Sequence, residues 1–370
     1  MIFYLSEAAA MYAHVNPSVA VCGGINSLMA AINNGHHLLI AESYNAYKTL
    51  SDIACLGDHE KAFFKSRATN WFTFPDLADI GFSLLAEIEA PEEDVDYPFT
   101  NDLKVMVTFE LLSRMTLCAP SLLLSENISD SRFYGCLLNW YMEGWGLEAF
   151  HAKYELRHGG GGTTAALYEM IQTEKQKFCA CILDSDKSSP GGKAGGTLKN
   201  VLRVHDDTCI ISRPIYDYSF HEKENLIDYV AVEGILKGVL DENQTKELNN
   251  FLDVYRTLPY KYQSHLDLKK GITCAVLSSM KCNDINSFKY WEEYLRDHTD
   301  LEDSPCNLCL DSECEAVFIP KAPSFVREEA LKINFSELAE SANSDLRSIW
   351  QKLGESLAPV FIAEQESFIK

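Results

Sequence analysis

The chain is short of positive charge, with 32 lysine and arginine residues against 54 aspartate and glutamate residues and a formal net charge of −22. A protein that binds nucleic acid alone usually carries a basic stripe, because neutralised phosphates supply most of its sequence-independent affinity. The charge balance therefore disfavours a simple nucleic-acid binder. It leaves these options: basic residues gathered on one face, a partner that presents the nucleic acid, or a protein that does not bind nucleic acid until it is activated.

Long hydrophobic runs are also missing. No apolar segment approaches the roughly 20 residues that cross a bilayer, and the start, Met1 to Glu7, lacks the basic region of a signal peptide. The sequence thus predicts a cytoplasmic protein without a membrane partner. Its 370 residues, 46% of them hydrophobic, suffice for two or three domains with real cores. Twelve cysteines, several inside apolar runs, are typical of reduced core thiols.

Carboxylate residues follow two short apolar runs. The run from Cys118 to Leu124 leads to Glu126, and the run from Lys177 to Leu183 leads to Asp184 and Asp186. Short apolar runs bounded by polar residues are typical of buried parallel strands. Ligands bind at the carboxyl ends of such strands, so we expect the three carboxylates to meet at one edge of one sheet.

A glycine cluster, residues 157–164, lies between these runs, after a mixed run from Phe150 to Leu156. Helices are predicted from about Asp130 to Trp140 and from about Thr164 to Glu174. The order is Glu after a first strand, Gly-Gly after a second and Asp-x-Asp after a third. This order resembles the Toprim domain, the metal-binding module of topoisomerases, primases and the nucleases related to OLD.

The resemblance implies an α/β fold with a Rossmann-like parallel sheet. We expect a Toprim domain at residues 101–232, an N-terminal α/β or helical domain at 1–100, and a mainly helical region at 233–370. The first boundary rests on a composition shift from Pro91 to Asn101, and a helical pattern from Asp102 to Met115 is expected to pack on the Toprim sheet.

The resemblance also implies a Mg²⁺ or Mn²⁺ site made by Glu126, Asp184 and Asp186. Mg²⁺ prefers oxygen ligands, and alternate residues at a strand end share a face, so both aspartates could reach one ion. In related nucleases a lysine beyond the acidic residues helps to neutralise the transition state. Lys269 and Lys270 are candidates for that role, against the alternative of a surface lysine pair.

A further metal ligand is expected after a fourth strand, from Cys209 to Pro214. Glu224, next to Asn225 and close to Glu222, resembles the acidic helix start that follows this strand in OLD-like Toprim proteins. The alternative is a helix N-terminus at which glutamate favours the macrodipole.

Substrate phosphate is expected at the glycine cluster. The backbone N–H groups of Gly160 and Gly161 suit a close approach of phosphate, and Arg157 and His158 flank them. Lys187 begins a loop rich in glycine, serine and lysine that extends to Gly196, predicted as a mobile basic loop over the substrate. Its glycines do not make a Walker A motif, and no P-loop occurs elsewhere, so an ATPase is not built into the chain.

Cys306 and Cys309, with Cys314, have the spacing of a structural zinc knuckle. His298, Cys282 or Cys274 could supply the fourth ligand. The alternative is a set of free thiols in an acidic loop.

The function expected from these features is a metal-dependent Toprim endonuclease that cleaves DNA or RNA. It would be the effector of a prokaryotic antiphage or toxin-like system that works with a separate ATPase or sensor, with a homo-oligomer as one option. An alternative is a phosphohydrolase of the HAD type with Asp184 as nucleophile, although that family expects threonine or valine at the position of Lys187. The non-enzymatic alternative is an acidic scaffold or regulatory subunit with a Toprim-like fold.

Overall fold

The computed structural model describes residues 1–71, 85–90, 99–101, 104–114, 116–144, 150–206, 211–298, 306, 308–330 and 332–364. The chain divides into two compact units. The first comprises Met1–Ile182, Val201–Ile215 and Gln351–Lys370, and the second comprises Leu183–Asn200 and Tyr216–Trp350. The fold is α/β with parallel sheets, as predicted.

The first unit contains a five-stranded sheet in the order β2-β1-β3-β5-β4. Its first four strands in that order are parallel, and β4 pairs with β5 in the antiparallel direction. The strands are β1 (Ile2–Leu5), β2 (Leu38–Ala41), β3 (Leu85–Ile88), β4 (Phe99–Asn101) and β5 (Lys104–Val107). The N-terminal part of the chain is therefore α/β, one of the two options that the sequence left open.

Helices connect these strands. They are α1 (Glu7–Val15), α2 (Val19–Asn33), α3 (Tyr44–Ser51), α4 (Asp58–Thr69) and α5 (Phe109–Arg114). Side chains of Ser6, Ser18 and Ser43 cap the first three by accepting backbone N–H groups. Gly35 ends α2 at φ 62°, the left-handed conformation that glycine adopts readily.

A four-stranded sheet in the order β10-β9-β6-β8 is the second parallel sheet of the first unit. All its pairings are parallel. Every residue of β6 and β9 is buried, the pattern of a parallel strand covered on both faces. The strands are β6 (Leu122–Ser125), β8 (Glu155–His158), β9 (Cys179–Ile182) and β10 (Ser212–Ile215).

The connecting helices of this sheet are α6 (Ile128–Gly144), α7 (Thr164–Glu174) and α8 (Gly196–Val204). The first two lie where the sequence predicted helices. The predicted strand from Phe150 to Leu156 is two strands, since β7 (Phe150–Ala152) leaves the sheet and pairs antiparallel with β13 (Ile362–Glu364).

The second unit is mainly helical. Its helices are α9 (Tyr229–Leu236), α10 (Glu242–Tyr255), α11 (Tyr260–Gln263), α12 (Cys274–Asn283), α13 (Ile285–His298), α14 (Ser324–Ala330), α15 (Phe335–Ser341) and the first part of α16 (Ser344–Phe361). A two-stranded antiparallel sheet joins β11 (Ile272–Thr273) to β12 (Val317–Ile319).

Three sequence expectations meet a different structure. The helical pattern from Asp102 to Met115 is only partly helical, because residues 104–107 pair as β5 with β3 and β4. The predicted boundary between residues 100 and 101 falls inside β4, and residues 91–98 of the composition shift lie outside the described part. Cys22 and Cys55 form a disulfide, an exception to the expected reduced thiols. Cys209 and Ile210 of the predicted fourth strand also lie outside the described residues.

Candidate active site

The strand order of the four-stranded sheet creates a switch point between β6 and β9. These strands are hydrogen-bonded neighbours, although the chain visits β8, on the other side of β6, between them. In open α/β sheets, ligands bind beyond the carboxyl ends of the strands at such a point. Glu126 follows β6 directly, and Asp184 comes two residues after β9 along the chain.

The structure brings Glu126 together with the glycine cluster inside the first unit. The N–H groups of Gly160 and Gly161 donate to the carbonyl oxygen of Glu126, at 2.9 and 3.4 Å. Both glycines have positive φ values, 69° and 65°, which disfavour other residues. The turn therefore fixes the backbone of Glu126. Phosphate binding by these two N–H groups stays a prediction, and here they have a protein partner.

Arg157 and His158 lie at the end of the edge strand β8. The Arg157 guanidinium pairs with Glu155, the partner also of the Lys177 ammonium at 2.6 Å. The hydrogen bond from Lys177 lowers the pKa of the Glu155 carboxyl, and this effect is larger than the rise that burial causes. Arg157 and His158 line an open cavity of about 680 Å³ beside α7. Their predicted contact with phosphate therefore has space, but the guanidinium is already paired.

The Asp-x-Asp sequence belongs to the second unit, where it is attached to residues 220–223. Asp184 Oδ1 accepts the N–H of Lys223 at 3.0 Å, and the N–H of Asp186 donates to the His221 carbonyl at 2.8 Å. The buried Ser185 hydroxyl donates to the Phe220 carbonyl. Asp186 has φ 51°, the left-handed region. This turn therefore determines where the two aspartates point.

Gly195 makes room for that turn. Its N–H donates to the Ser185 carbonyl at 2.9 Å, and a Cβ at this position would lie 2.0 Å from Asp186 Oδ2. No side chain larger than hydrogen fits without a shift of Asp186. The glycine-rich loop thus has a steric role next to the Asp-x-Asp sequence.

Glu222 and Glu224 form a buried acidic pair at the start of the 3₁₀ turn Lys223–Leu226, with Glu222 as its N-cap residue. Each residue is 4% exposed. The turn is held by a capping box, in which Asn225 Oδ1 accepts the N–H of Glu222 at 3.0 Å. The Asn225 amide also donates to the carbonyls of Gln263 and Leu266, at 2.8 and 2.9 Å. Glu224 was predicted as a metal ligand, and the structure puts Glu222 beside it.

Lys269 joins the two carboxylates. Its ammonium pairs with Glu222 Oε2 and lies 3.3 Å from Glu224 Oε1, which is also 3.4 Å from the Lys223 ammonium. Among the residues that the structure describes, Glu222 Oε1 and Glu224 Oε2 have no hydrogen-bond partner although both atoms are buried. Buried carboxylate oxygens are costly to leave unpaired, so these two atoms are candidate ligand positions.

The electrostatics of the pair are asymmetric. Burial, helped by the negative charge of Glu224, raises the pKa of Glu222, and Lys269 opposes that rise. Burial would raise the pKa of Glu224 too, but Lys223 and Lys269 together lower it. Lys269 itself has a raised pKa because the two carboxylates outweigh the effect of burial. The carboxyls titrate as one pair.

His221 and Asp267 extend the cluster. Ligand atoms of His221, Glu222 and Asp267 lie within 4.8 Å of one another, a geometry that could hold a metal ion. His221 Nε2 is 3.8 Å from Asp267 Oδ2, and its Nδ1 has no partner among the described residues. The sequence analysis did not single out either residue. Asp267 lies two residues before Lys269, and that spacing alone indicates nothing.

The Lys270 ammonium contacts Asp267 instead of the acidic pair, at 2.8 Å, and the Lys270 side chain is 70% exposed. Burial would raise the pKa of the Asp267 carboxyl, but Lys270 and His221 hold it below its usual value. Of the two candidate lysines, Lys269 is the one that contacts Glu222 and Glu224.

Lys187 and its loop make several contacts within the second unit. The Lys187 ammonium donates to the Pro190 carbonyl at 2.6 Å and lies 4.6 Å from the Tyr218 ring centre. The loop is attached to helices of the second unit: Lys193 donates to Asp284 and Asn283, and the Trp291 indole donates to the Ser188 carbonyl at 2.7 Å. These hydrogen bonds attach the loop to the second unit, and its mobility stays a prediction.

Four cysteines of the second unit converge. The sulfur atoms of Cys274, Cys306, Cys309 and Cys314 all lie within 4.8 Å of one another. Cys274 was one of three candidates for the fourth position. No further ligand is needed from His298 or Cys282.

No known protein family matches this chain, and neither the curated proteins nor the solved structures contain a significant match to it.

Proposed function

We propose that this chain is a metal-dependent phosphodiester hydrolase, a Toprim-type endonuclease that acts on DNA or RNA. The observation that carries the proposal is the buried acidic pair Glu222 and Glu224. Each carboxylate keeps one buried oxygen without a partner among the described residues, in a turn that is hydrogen-bonded to the Asp-x-Asp sequence. A purely structural ion pair would need no such free oxygens.

The donor set fits Mg²⁺ or Mn²⁺. Glu222, Glu224 and Asp184 offer carboxylate oxygens, and hard divalent ions prefer such ligands together with water and substrate phosphate. When bound, such ions lower the pKa of an attacking water and stabilise the leaving oxygen of a phosphodiester. The Lys269 ammonium contacts both glutamates and balances part of their charge. A metal ion at this position would compete with that ammonium for the carboxylates.

The residues have separate tasks in this proposal. Asp184, Glu222 and Glu224 hold the ions, and Lys269, half-exposed, can also face the phosphate of a substrate. Asn225 keeps both glutamates in place through the capping box. Glu126 belongs to the first unit, and its role as a metal ligand rests on the sequence resemblance alone.

The biological setting is part of the same proposal. A net charge of −22 favours a nucleic acid presented by another protein, and the sequence contains no P-loop of its own. We therefore propose an effector of prokaryotic antiphage defence or of a toxin-like system, which acts in the cytoplasm with a separate ATPase or sensor. No helix within the described residues is long and apolar enough to cross a membrane.

The test is cleavage of plasmid DNA and structured RNA with Mg²⁺ or Mn²⁺, alongside Mn²⁺ binding followed by electron paramagnetic resonance. We expect Glu224→Gln and Asp184→Asn to lose both metal binding and cleavage. Glu247→Gln is the matched control. Glu247 is exposed on α10, and its substitution removes the same charge as Glu224→Gln.

The outcomes separate the alternatives. A wild-type chain that neither binds Mn²⁺ nor cuts either nucleic acid contradicts the proposal and supports the acidic scaffold. Turnover of a phosphate monoester with a phosphorylated Asp184 supports the HAD-type phosphohydrolase. If Glu224→Gln still binds Mn²⁺, the metal site does not depend on the acidic pair and must lie elsewhere.

A further inference from the structure

The four converging cysteines come from two distant parts of the second unit. Cys274 begins α12, directly after β11, and the other three lie in the segment 306–314. Cys274 is fully buried, whereas Cys309 is exposed. The arrangement therefore has one ligand on a rigid helix start and three on a loop.

The distances suit one tetrahedral ion. Cys274 Sγ lies 3.6 Å from Cys306 Sγ and 3.5 Å from Cys309 Sγ, and the last two are 3.1 Å apart. A zinc–sulfur bond of about 2.3 Å places the sulfurs of a tetrahedral site about 3.8 Å apart. Without an ion, four thiols this close together would be in tight van der Waals contact, and the weak hydrogen bonds between thiols would stabilise that arrangement little.

The loop has the backbone of a metal knuckle. The N–H of Cys309 donates to Cys306 Sγ at 3.1 Å, a hydrogen bond that favours a thiolate on Cys306. Leu308 and Leu310 adopt the left-handed conformation, at φ 48° and 56°, which bends the chain around the sulfurs.

We propose that Cys274, Cys306, Cys309 and Cys314 bind one structural Zn²⁺ ion. All four positions are protein thiolates, which closes the site to water and to substrate and distinguishes a structural zinc site from a catalytic one. The proposal is independent of the proposed nuclease function.

The site would anchor the segment that carries Lys269. From Cys274 the chain leads back through β11, which pairs with β12, to Gly271 and the turn at Asp267. Gly271 has φ 69°, its N–H donates to the Asp267 carbonyl at 2.7 Å, and a Cβ here would lie 2.3 Å from the Ile319 carbonyl oxygen. Zinc and the small sheet together would fix the position of this turn.

The experiment measures the metal content of the purified full chain by mass spectrometry of the elements. We expect about one zinc per chain, and about a tenfold or greater fall in Cys306→Ser and Cys274→Ser. Cys282→Ser is the matched control, because Cys282 is an exposed free thiol on the same helix as Cys274, and it should keep the ion.

A second measurement covers the case in which the ligand variants fail to fold. Stepwise modification of the wild-type chain with an organomercurial should release zinc, detected with a colorimetric chelator, as the four thiols react. A wild-type chain purified under reducing conditions without zinc, with iron in its place, or with four thiols that react at once, would overturn the proposal. Zinc loss in Cys282→Ser equal to that in Cys306→Ser would overturn it as well.

Discussion

Replacement of Lys269 by methionine tests the central contact of the acidic pair. Methionine keeps the length of the side chain and removes the ammonium that pairs with Glu222 and Glu224. The Lys223 ammonium then remains, 3.4 Å from Glu224 Oε1. Removing one partner of a buried ion pair costs about 3–5 kcal/mol. Because the Lys269 side chain is 45% exposed, solvent screening reduces this to about 2 kcal/mol.

The pH dependence follows from the pKa shifts. In the wild type Glu224 has a lowered pKa, so it contributes stability above its unfolded pKa that is lost as the pH falls through the folded value. Without Lys269 the pKa of both carboxyls rises. A raised carboxyl pKa destabilises the fold at high pH, and the penalty disappears as the pH falls through the raised value. The deficit of Lys269→Met should therefore be full at pH 8 and small near pH 5.

The assay is urea unfolding followed by circular dichroism at several pH values, with and without Mg²⁺. Lys270→Met is the control, because the Lys270 side chain is 70% exposed and its ammonium pairs with Asp267, so we expect a loss of about 0.5 kcal/mol. Mg²⁺ should raise the free energy of unfolding of Lys269→Met more than that of the wild type. A ligand that binds only the folded state stabilises it, and in the variant the ion no longer competes with the Lys269 ammonium. Equal losses in the two lysine variants at pH 8 would refute this reasoning.

Two further substitutions test steric and buried-charge arguments. Gly195→Ala would place a Cβ 2.0 Å from Asp186 Oδ2, so we expect a loss of about 1–3 kcal/mol and weaker Mn²⁺ binding in a titration. Gly196→Ala is the control, because nothing lies within 4 Å of its Cβ position, and it should unfold no more easily than the wild type. Arg67→Met should cost about 3–5 kcal/mol in denaturant unfolding, because it leaves Glu364, 4% exposed, without the guanidinium that pairs with both of its oxygens. A loss below that of an exposed ion pair would show that the Glu364 carboxylate is not buried.

The sequence predicted local elements where the signal is local. Apolar runs gave β6 and β9, and α7 has the predicted bounds, Thr164–Glu174. The division of the run from Phe150 to Leu156 could not be predicted, because the last residue of β7, Ala152, pairs with the first residue of β13, Ile362, which lies far along the chain. The strand Lys104–Val107 was hidden by helical periodicity, and pairing with β3 and β4 decided its conformation.

The candidate site shows the same limit. Resemblance to a family indicated Glu224 and Lys269, but their contact is made by tertiary folding. The bond between Lys269 and Glu222 joins residues 47 positions apart. Cys274 could not be chosen over Cys282 for the cysteine cluster, since only the fold brings it within 3.6 Å of Cys306. His221 and Asp267 belong to no motif, so nothing in the sequence marked them.

The charge of the whole chain and the charge of the site lead to different expectations for substrate approach. The chain has 22 more acidic than basic residues, which repels a polyanion at long range, most strongly at low ionic strength. Close to the acidic pair, however, Lys223, Lys269 and Lys270 lie beside the carboxylates. The site combines these three ammonium groups with five carboxylates, so one divalent ion would neutralise it and a second would make it net positive; the carboxylates are those of Asp184, Asp186, Glu222, Glu224 and Asp267. Binding of nucleic acid should therefore require the metal, and it should weaken with salt less steeply than in a protein that relies on a basic surface.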